Sequence, residues 1–217
     1  MSSRHIVKQG EYLAMIARDY GFADYMTIWN ASENAALRAK RKDPNILHPG
    51  DVVQIPSKQV RTEQRATGSR HRLVVKTTRL KLRVALEDAF NDHVKNANCE
   101  LRVDGETFQL KTDASGRIEH SISSNAKRAE LVLRQHAGTA FTDVVLELRI
   151  GHLDPIDQLS GQVARLTNLG YLQHAIDTEL DSLFLASVQE FQCDHGLQVD
   201  GKCGPLTRKK LEAVHGC

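Results

Sequence analysis

Several features are scarce or missing in this sequence of 217 residues, and each absence narrows the class of protein. Aromatic residues make up only 5%, and a net charge of +2 gives no basis for nucleic-acid binding. No apolar run is long enough to cross a membrane, and the polar start, MSSRHIVKQGEY, lacks the apolar stretch of a signal peptide. We therefore expect a soluble protein that is made in the cytoplasm and does not insert into membranes.

The cysteines and histidines do not form a recognisable metal or catalytic pattern. None of the four cysteines forms a CxxC pair, and the ten histidines are scattered without an HExxH motif. Free thiols are the expectation for a reducing compartment, while a bridge between Cys203 and Cys217 after export remains open. Glycine-rich phosphate loops are also missing. The sequence therefore predicts no metal, no cofactor and no catalytic residue.

Residues 1–57 predict a strand, two helices and a second strand. Leu13, Ile16 and Tyr20 share one helical face, which ends at Gly21. The turn at residues 49–51, Pro-Gly-Asp, leads into a short apolar strand. Between the second helix and this turn lies a further helical-looking stretch, SENAALRAKRK.

Two ends of this segment resemble the LysM module, a small βααβ glycan-binding fold. The motifs are VKQGEYL at 7–13 and PNILHPGD at 44–51. The resemblance implies a shallow groove between two loops, in which backbone groups bind the N-acetyl groups of a sugar. Core packing is the alternative for its apolar side chains. The implied groove residues are Gln9, Gly10, Glu11, Tyr12, Asn45, Ile46, Leu47 and His48.

The middle of the chain predicts a linker followed by strands. Residues 58–70 are polar and charged, which is typical of a flexible linker. Within 71–153 the apolar period changes to two, and Asp104-Gly105 predicts a hairpin. About seven short strands separated by turns predict an antiparallel β-sandwich. The segment 103–116 resembles prealbumin-like and carboxypeptidase-regulatory-like domains. We interpret the whole β domain as a spacer or docking surface.

Residues 154–217 predict three short helices around one core, because apolar residues recur at helical spacing. Three motifs are similar to the peptidoglycan-binding domain found beside bacterial wall hydrolases: LxxLGY (166–171), VxxFQ (188–192) and HGLxVDGxxGPxT (195–207). An earlier copy of the loop, at 177–184, has lost the family glycines. The resemblance implies a wall-binding surface at Tyr171, Phe184 and Phe191, with core packing as the alternative for the two phenylalanines.

Weak catalytic candidates remain. Asp113 with Glu119, and Asp177 with Glu179, are pairs that glycoside cleavage could use if both carboxyl groups faced a sugar cleft. Both pairs lie in turn-like stretches, where solvated side chains are the common finding. Residues 215–217 read His-Gly-Cys, as in L,D-transpeptidases, but the β-rich catalytic domain of that family has no counterpart. We interpret that match as coincidence.

The sequence thus predicts a multidomain α+β protein with a LysM-like module, a β-sandwich and a three-helix domain. This order is similar to that of small proteins linked with type VI secretion. The resemblance implies a non-catalytic peptidoglycan-binding protein, an accessory or targeting component that a contractile machine delivers to the periplasm or to a target cell. The alternative is an adaptor that docks a secretion spike or an effector without binding glycan.

Overall fold

The computed structural model describes residues 3–58, 62, 64–72, 79–88, 92–134, 143–172 and 182–217. The chain divides into two compact units, Met1–Asn45 with Pro49–His152, and Ile46–His48 with Leu153–Cys217. Helices and antiparallel sheets are both present, so the α+β class is confirmed. No helix within the described ranges combines the length and apolar character needed to cross a bilayer.

The first unit begins with a small sheet and several short helices. The two strands pair antiparallel, from Ser3 opposite Ile55 to Ile6 opposite Val52. One helix lies within the inserted stretch, so the helical expectation for that stretch is confirmed. The elements are β1 (Ser3–Ile6), α1 (Leu13–Asp19), α2 (Met26–Trp29), a 3-10 turn (Ser32–Asn34), α3 (Ala35–Lys40) and β2 (Val52–Ile55).

Buried polar groups hold the inserted stretch against this sheet. Arg41 and Asp51 are both nearly inaccessible, and Arg41 Nε lies 2.7 Å from Asp51 Oδ2. Asp51 also accepts a hydrogen bond from the Val7 N–H through its backbone carbonyl. The Asn34 side chain donates to the carbonyl of Gln54 and accepts from its N–H. Because a buried charge is tolerated only when it is paired, these contacts make the insertion part of the fold.

Six antiparallel strands complete the first unit within the described residues, against about seven expected from the apolar alternation. They form a two-stranded sheet, β3–β6, and a four-stranded sheet in the order β5-β4-β7-β8. Cys99, Leu101, Ile118 and Leu131 belong to one apolar core that draws on both sheets. The strands are β3 (Leu80–Ala85), β4 (Asn98–Val103), β5 (Glu106–Lys111), β6 (Arg117–Ile122), β7 (Arg128–Leu133) and β8 (Val144–Arg149).

The predicted hairpin at Asp104-Gly105 is confirmed. Val103 lies opposite Glu106, so the two residues between them form the whole connection. Both have positive φ, 52° for Asp104 and 80° for Gly105. That conformation suits an Asp-Gly pair, because its twist matches the right-handed twist of the strands.

Tyr12 joins the N-terminal helices to the β strands. Its side chain is 1% exposed, and its hydroxyl donates a 2.8 Å hydrogen bond to the carbonyl of Ala126. The ring fits against Gly151, where an added Cβ would lie 2.4 Å from a ring carbon. Met15 and Ile150 pack in the same cluster. Burial raises the pKa of Tyr12 to about 12, so this hydroxyl stays protonated at neutral pH.

The second unit contains three helices in the described residues, α4 (Leu159–Asn168), α5 (Ser182–Asp194) and α6 (Pro205–His215). Leu166, Phe191 and Leu211 are nearly inaccessible and form its core with three other apolar residues. Pro205 begins α6, where its missing N–H costs no hydrogen bond. Gly216 ends that helix with a φ of 91°, a left-handed conformation that glycine adopts without strain.

Replacing Tyr12 with phenylalanine should lower the free energy of unfolding at pH 7 by about 1–2 kcal/mol, because the buried carbonyl of Ala126 loses its donor. Tyr25→Phe is the matched control, since Tyr25 packs in the same cluster and its hydroxyl has no hydrogen bond among the described residues. Urea unfolding measures both variants. Equal stability of the two would contradict the role assigned to the Tyr12 hydroxyl.

The same variant tests the raised pKa of Tyr12. A folded-state pKa of about 12, above the ordinary value of about 10, contributes stability that is complete below pH 10 and is lost as the pH rises toward 12. Wild type should therefore lose stability over this range more steeply than Tyr12→Phe. The difference between the two proteins should shrink from pH 9 to pH 11.

Candidate functional site

One buried carboxamide organises the loop between α5 and α6. Gln192 is 1% exposed, and its Oε1 accepts hydrogen bonds from the backbone N–H groups of Asp200 and Gly201, both at 3.0 Å. Its Nε2 lies 2.8 Å from Asp200 Oδ1, 3.1 Å from the carbonyl of Lys202 and 3.0 Å from Thr207 Oγ1. Because both ends of the amide are used, the loop is held in one conformation.

Local contacts within the loop add to this arrangement. Asp200 Oδ1 also accepts from the Lys202 N–H at 2.9 Å, and this bond is the main cause that lowers the pKa of Asp200. Gly201 has a φ of 67°, and a Cβ there would lie 2.9 Å from Cγ of Leu185. A side chain at position 201 would thus be strained and crowded against α5.

Gln192 belongs to the VxxFQ motif, but that motif alone indicates no function for it. It directly follows Phe191 on a helix whose apolar side faces the core. A glutamine in that position must find internal hydrogen-bond partners, and the polar turn eight residues later offers them. Gln192 could therefore have been identified from the sequence as the residue that orders the loop.

Exposed apolar residues lie before, beside and after the ordered loop. Leu206, in the first turn of α6, is 77% exposed, and Val199, just before the turn, is 51% exposed. Leu185 on α5 is 48% exposed, although it lies beside Gly201. Leu185 and Val199 are each about half exposed, and Leu206 is the most exposed of the three. We call Leu185, Val199 and Leu206 the loop surface.

A buried arginine connects the beginning of the second unit to its last residue. Arg165 is 1% exposed, and its Nη1 donates to the carbonyls of Asp154 at 2.9 Å and Gly161 at 2.8 Å. Its Nε donates to the carbonyl of Cys217 at 2.8 Å. Burial lowers the pKa of this guanidinium, which nonetheless remains charged because its ordinary pKa is so high.

Of the three wall-binding residues predicted from sequence, two lie in the core. Phe184 is 6% exposed and Phe191 is fully buried, so their rings pack inside the unit and do not form a ligand surface. The core alternative is therefore correct for both. Tyr171 is half-buried, with its ring 5.4 Å from that of Phe191 in an edge-on contact and its hydroxyl donating to Asp194 Oδ2 at 3.0 Å. Only Tyr171 retains a surface that a ligand could reach.

The first predicted groove loop is partly used inside the fold. Gln9 is exposed, whereas Gly10 and Glu11 are half-buried. Glu11 Oε2 accepts from the Lys8 N–H at 2.9 Å and lies 2.8 Å from His5 Nε2. The prediction that Tyr12 contacts a sugar is not supported, because the packing against the β strands leaves its side chain inaccessible.

The second predicted groove loop divides between the two units. Asn45 belongs to the first, and its Oδ1 accepts from the Ala14 N–H at 3.3 Å, near the start of α1. Ile46, Leu47 and His48 belong to the second unit. Leu47 is 4% exposed, so its side chain is not available to a ligand, whereas Ile46 and His48 are half-buried.

The carboxylate pair Asp113–Glu119 serves other purposes. Asp113 caps its own turn by accepting two backbone N–H bonds, which lower its pKa. Glu119 lies between Lys81 and Arg83, whose hydrogen bonds lower its pKa as well. A general acid needs a raised pKa, so neither carboxyl group is prepared for that role.

Other predictions fall on residues that the structure does not describe. Asp177, Glu179 and most of the degenerate loop copy lie outside the described ranges, so what was inferred about them stays a prediction. Across the described residues, no group of three or more histidine, cysteine, aspartate or glutamate side chains could hold a metal ion. For segment 58–70, the described residues are exposed and form no helix or strand, and its linker role also stays a prediction.

Replacing Gln192 with glutamate should destabilise the second unit by about 2–4 kcal/mol at pH 7. A carboxylate can still accept from the two N–H groups, but it cannot donate to Asp200, Lys202 or Thr207, and it faces the charge of Asp200. The exposed Gln198→Glu is the control for added charge. Thermal unfolding followed by helix circular dichroism measures both. A Gln192→Glu protein as stable as its control would refute the organising role of this amide.

Comparison with known proteins finds one family that matches part of the second unit. Residues 163–211 match the family described as "Putative peptidoglycan binding domain". The match includes Gln192 and the loop that it orders, together with most of the three helices. No curated protein and no solved structure matches the chain. The second unit therefore contains a region similar to peptidoglycan-binding domains.

Proposed function

We propose that this chain binds the bacterial cell wall without cleaving it, and that its second unit makes the contact. The observation that carries the proposal is the match of residues 163–211, which contains a loop held by hydrogen bonds to Gln192. A rigid polar turn with apolar neighbours can hold a sugar or a stem peptide through apolar contact and a few hydrogen bonds. Such a shallow surface gives weak affinity.

The loop surface is the preferred place for that contact. Leu206 is the most exposed of the three residues of the loop surface. Tyr171, elsewhere on the same unit, has a partly accessible ring. Neither residue is required for the core in the way that Phe191 is. A ligand could therefore cover them without any rearrangement of the unit.

The proposal that the chain binds without cleaving rests on the contacts that Asp113 and Glu119 make. Asp113 accepts hydrogen bonds from backbone N–H groups of its own turn, and Glu119 pairs with Lys81 and Arg83 at the surface. These contacts lower the pKa of both carboxyl groups. A glycoside hydrolase needs one carboxyl group that stays protonated near neutral pH. The contacts of Asp113 and Glu119 therefore favour a structural role for both residues over a catalytic one.

The remaining parts of the proposal rest on sequence resemblance. We propose that the N-terminal module is LysM-like and that the chain acts as an accessory or targeting component of a type VI secretion system. The protein would be made in the cytoplasm and carried by that machine to the periplasm or to a target cell. Exposed Gln9 is the side chain of the first groove loop that remains most available to a sugar.

A second candidate function is favoured by the burial of Tyr12. Tyr12 was predicted to line the sugar groove, but its side chain packs inside the fold. This packing favours a structural role for the N-terminal module over a glycan-binding role. In that case the chain would be an adaptor that docks a secretion spike or an effector without binding glycan. The two candidates differ in one property, retention on peptidoglycan.

Sedimentation with insoluble peptidoglycan tests the first candidate. Wild type should co-sediment, and Leu206→Glu should lower retention about fivefold or more, because a charge would replace an apolar contact at the loop surface. Val145→Glu is the matched control, an apolar residue that is 55% exposed on β8 of the first unit. If wild type does not sediment, the wall-binding proposal fails and the adaptor takes its place. Equal losses in both variants would place the contact elsewhere.

Muropeptide profiles test the absence of cleavage. Peptidoglycan incubated with the purified protein should yield the same soluble fragments as a buffer control. Glu119→Gln provides the check on any activity that is detected. New fragments that appear with wild type and disappear with this variant would overturn the non-catalytic proposal.

A further inference from the structure

The strand β8 lies at one end of the four-stranded sheet. Among the described residues its strand neighbour is β7, and the two pair antiparallel over their whole length. Val144 is 49% exposed and Val145 is 55% exposed, so solvent reaches apolar side chains on both faces of the sheet where β8 begins. An end strand with exposed apolar side chains is a template on which a further strand can pair.

The backbone of β8 determines which residues a further strand must contact. The Ile150 N–H donates to the carbonyl of Lys127 at 3.0 Å, so the even-numbered residues of β8 direct their N–H and C=O groups toward β7. The corresponding groups of residues 143, 145, 147 and 149 therefore point away from β7. The side chains of these odd-numbered residues lie on the outer face, because Leu146 and Leu148 pack against the core.

The outer face of β7 and β8 has charges that the two strands do not balance. Arg149 lies directly opposite Arg128, and Glu147 lies directly opposite Glu130. Like charges in such positions destabilise a strand pair. Asp143, just before β8, has the opposite charge to Arg149 at the other end. Antiparallel pairing of β8 with a second β8 brings these two oppositely charged ends together.

We propose that β8 is a self-association surface, on which a second copy of this chain pairs antiparallel with Leu146 opposite the partner's Leu146. The two four-stranded sheets then form one continuous sheet around a two-fold axis. Asp143 lies opposite the partner's Arg149, and Val144 lies opposite the partner's Leu148. Symmetry makes each contact occur twice, so the pairing covers exposed apolar area and supplies Arg149 with an opposite charge.

The charges also select this register over its neighbours. A pair centred on 145 would set Asp143 opposite the partner's Glu147, and one centred on 147 or 149 would set two identical charges opposite each other. A pair centred on Leu148 avoids like charges but shortens the overlap, because the chain turns at Gly151, where φ is 79°. Centring on Leu146 keeps the whole strand paired and therefore gives the most backbone hydrogen bonds.

The strand at the other end of the sheet, β5, provides an internal contrast. The Thr112 N–H donates to the carbonyl of Ala97 at 3.0 Å, so Glu106 directs its backbone groups toward β4 while Lys111 directs them away. Residues of opposite phase cannot lie opposite each other in an antiparallel pair. The charged ends of β5 therefore do not complement each other in a self-pair, although both residues are exposed.

Sedimentation velocity of the full chain, from about 10 µM to about 500 µM, tests the proposal, because one short strand gives a weak dimer. The sedimentation coefficient of wild type should rise with concentration. Asp143→Arg and Arg149→Asp should each weaken the dimer at least about tenfold, since either change places like charges opposite each other twice. An equimolar mixture of the two variants should associate within about threefold of wild type, because every arginine then faces an aspartate.

Three variants serve as controls. Glu106→Arg and Lys111→Asp make the corresponding charge changes on β5 and should leave the association unchanged. Glu147→Arg should also leave it nearly unchanged, because this side chain faces the partner's Val145. Circular dichroism verifies the folding of each variant, and recovery in the mixture excludes misfolding as the cause of a loss.

The proposal is wrong if wild type stays monomeric at the highest concentration, if both single variants associate like wild type, or if their mixture stays monomeric. Loss of association in Glu147→Arg with retention in Asp143→Arg would also overturn it, because the centre would then be Leu148. The proposal does not depend on peptidoglycan binding. Co-sedimentation with peptidoglycan at about 1 µM compares monomers, so Val145→Glu remains its control.

Discussion

The carboxamide of Gln192 is the interaction on which the candidate site depends. A loop of backbone N–H and C=O groups close to an apolar core must pair those groups internally, and one side chain does this by accepting at one end and donating at the other. Leucine of similar size could do neither, and glutamate could do only the first. The conformation of the loop between α5 and α6 is therefore a consequence of one buried amide.

Buried polar groups have comparable roles elsewhere in the chain. The Tyr12 hydroxyl joins two parts of the first unit, the Arg41–Asp51 pair fixes the inserted helix, and Arg165 connects the second unit from Asp154 to Cys217. Each group lies where apolar packing alone would leave a carbonyl or a charge without a partner. Hydrogen bonds of this kind specify one arrangement, whereas apolar contacts would tolerate several.

Much of the architecture could be predicted because its causes are local. The Asp104-Gly105 turn, the alternation along β3 and β6 and the helix start at Pro205 each depend on a few neighbouring residues. The use of Tyr12 could not be predicted, since its partner Ala126 lies 114 positions away. For Phe184 and Phe191 the sequence left core and surface open, and only the packing of three helices decides between them. A glutamine directly after a core phenylalanine could have been recognised as a buried polar residue, but its hydrogen-bond partners become clear only in three dimensions.

The absence of a side chain at Gly151 constrains how the N-terminal helices pack on the β strands. A methyl group there would meet the ring of Tyr12 at 2.4 Å and the carbonyl oxygen of Gly10 at 2.9 Å, and the φ of 79° already disfavours any other residue. The inward position of Tyr12 therefore depends on glycine at position 151, because the ring occupies the space that a side chain would need. A Cβ there would force the ring, the backbone of Gly10 or residue 151 itself to move. The packing of the N-terminal helices on the β strands thus rests in part on a residue distant from them in sequence.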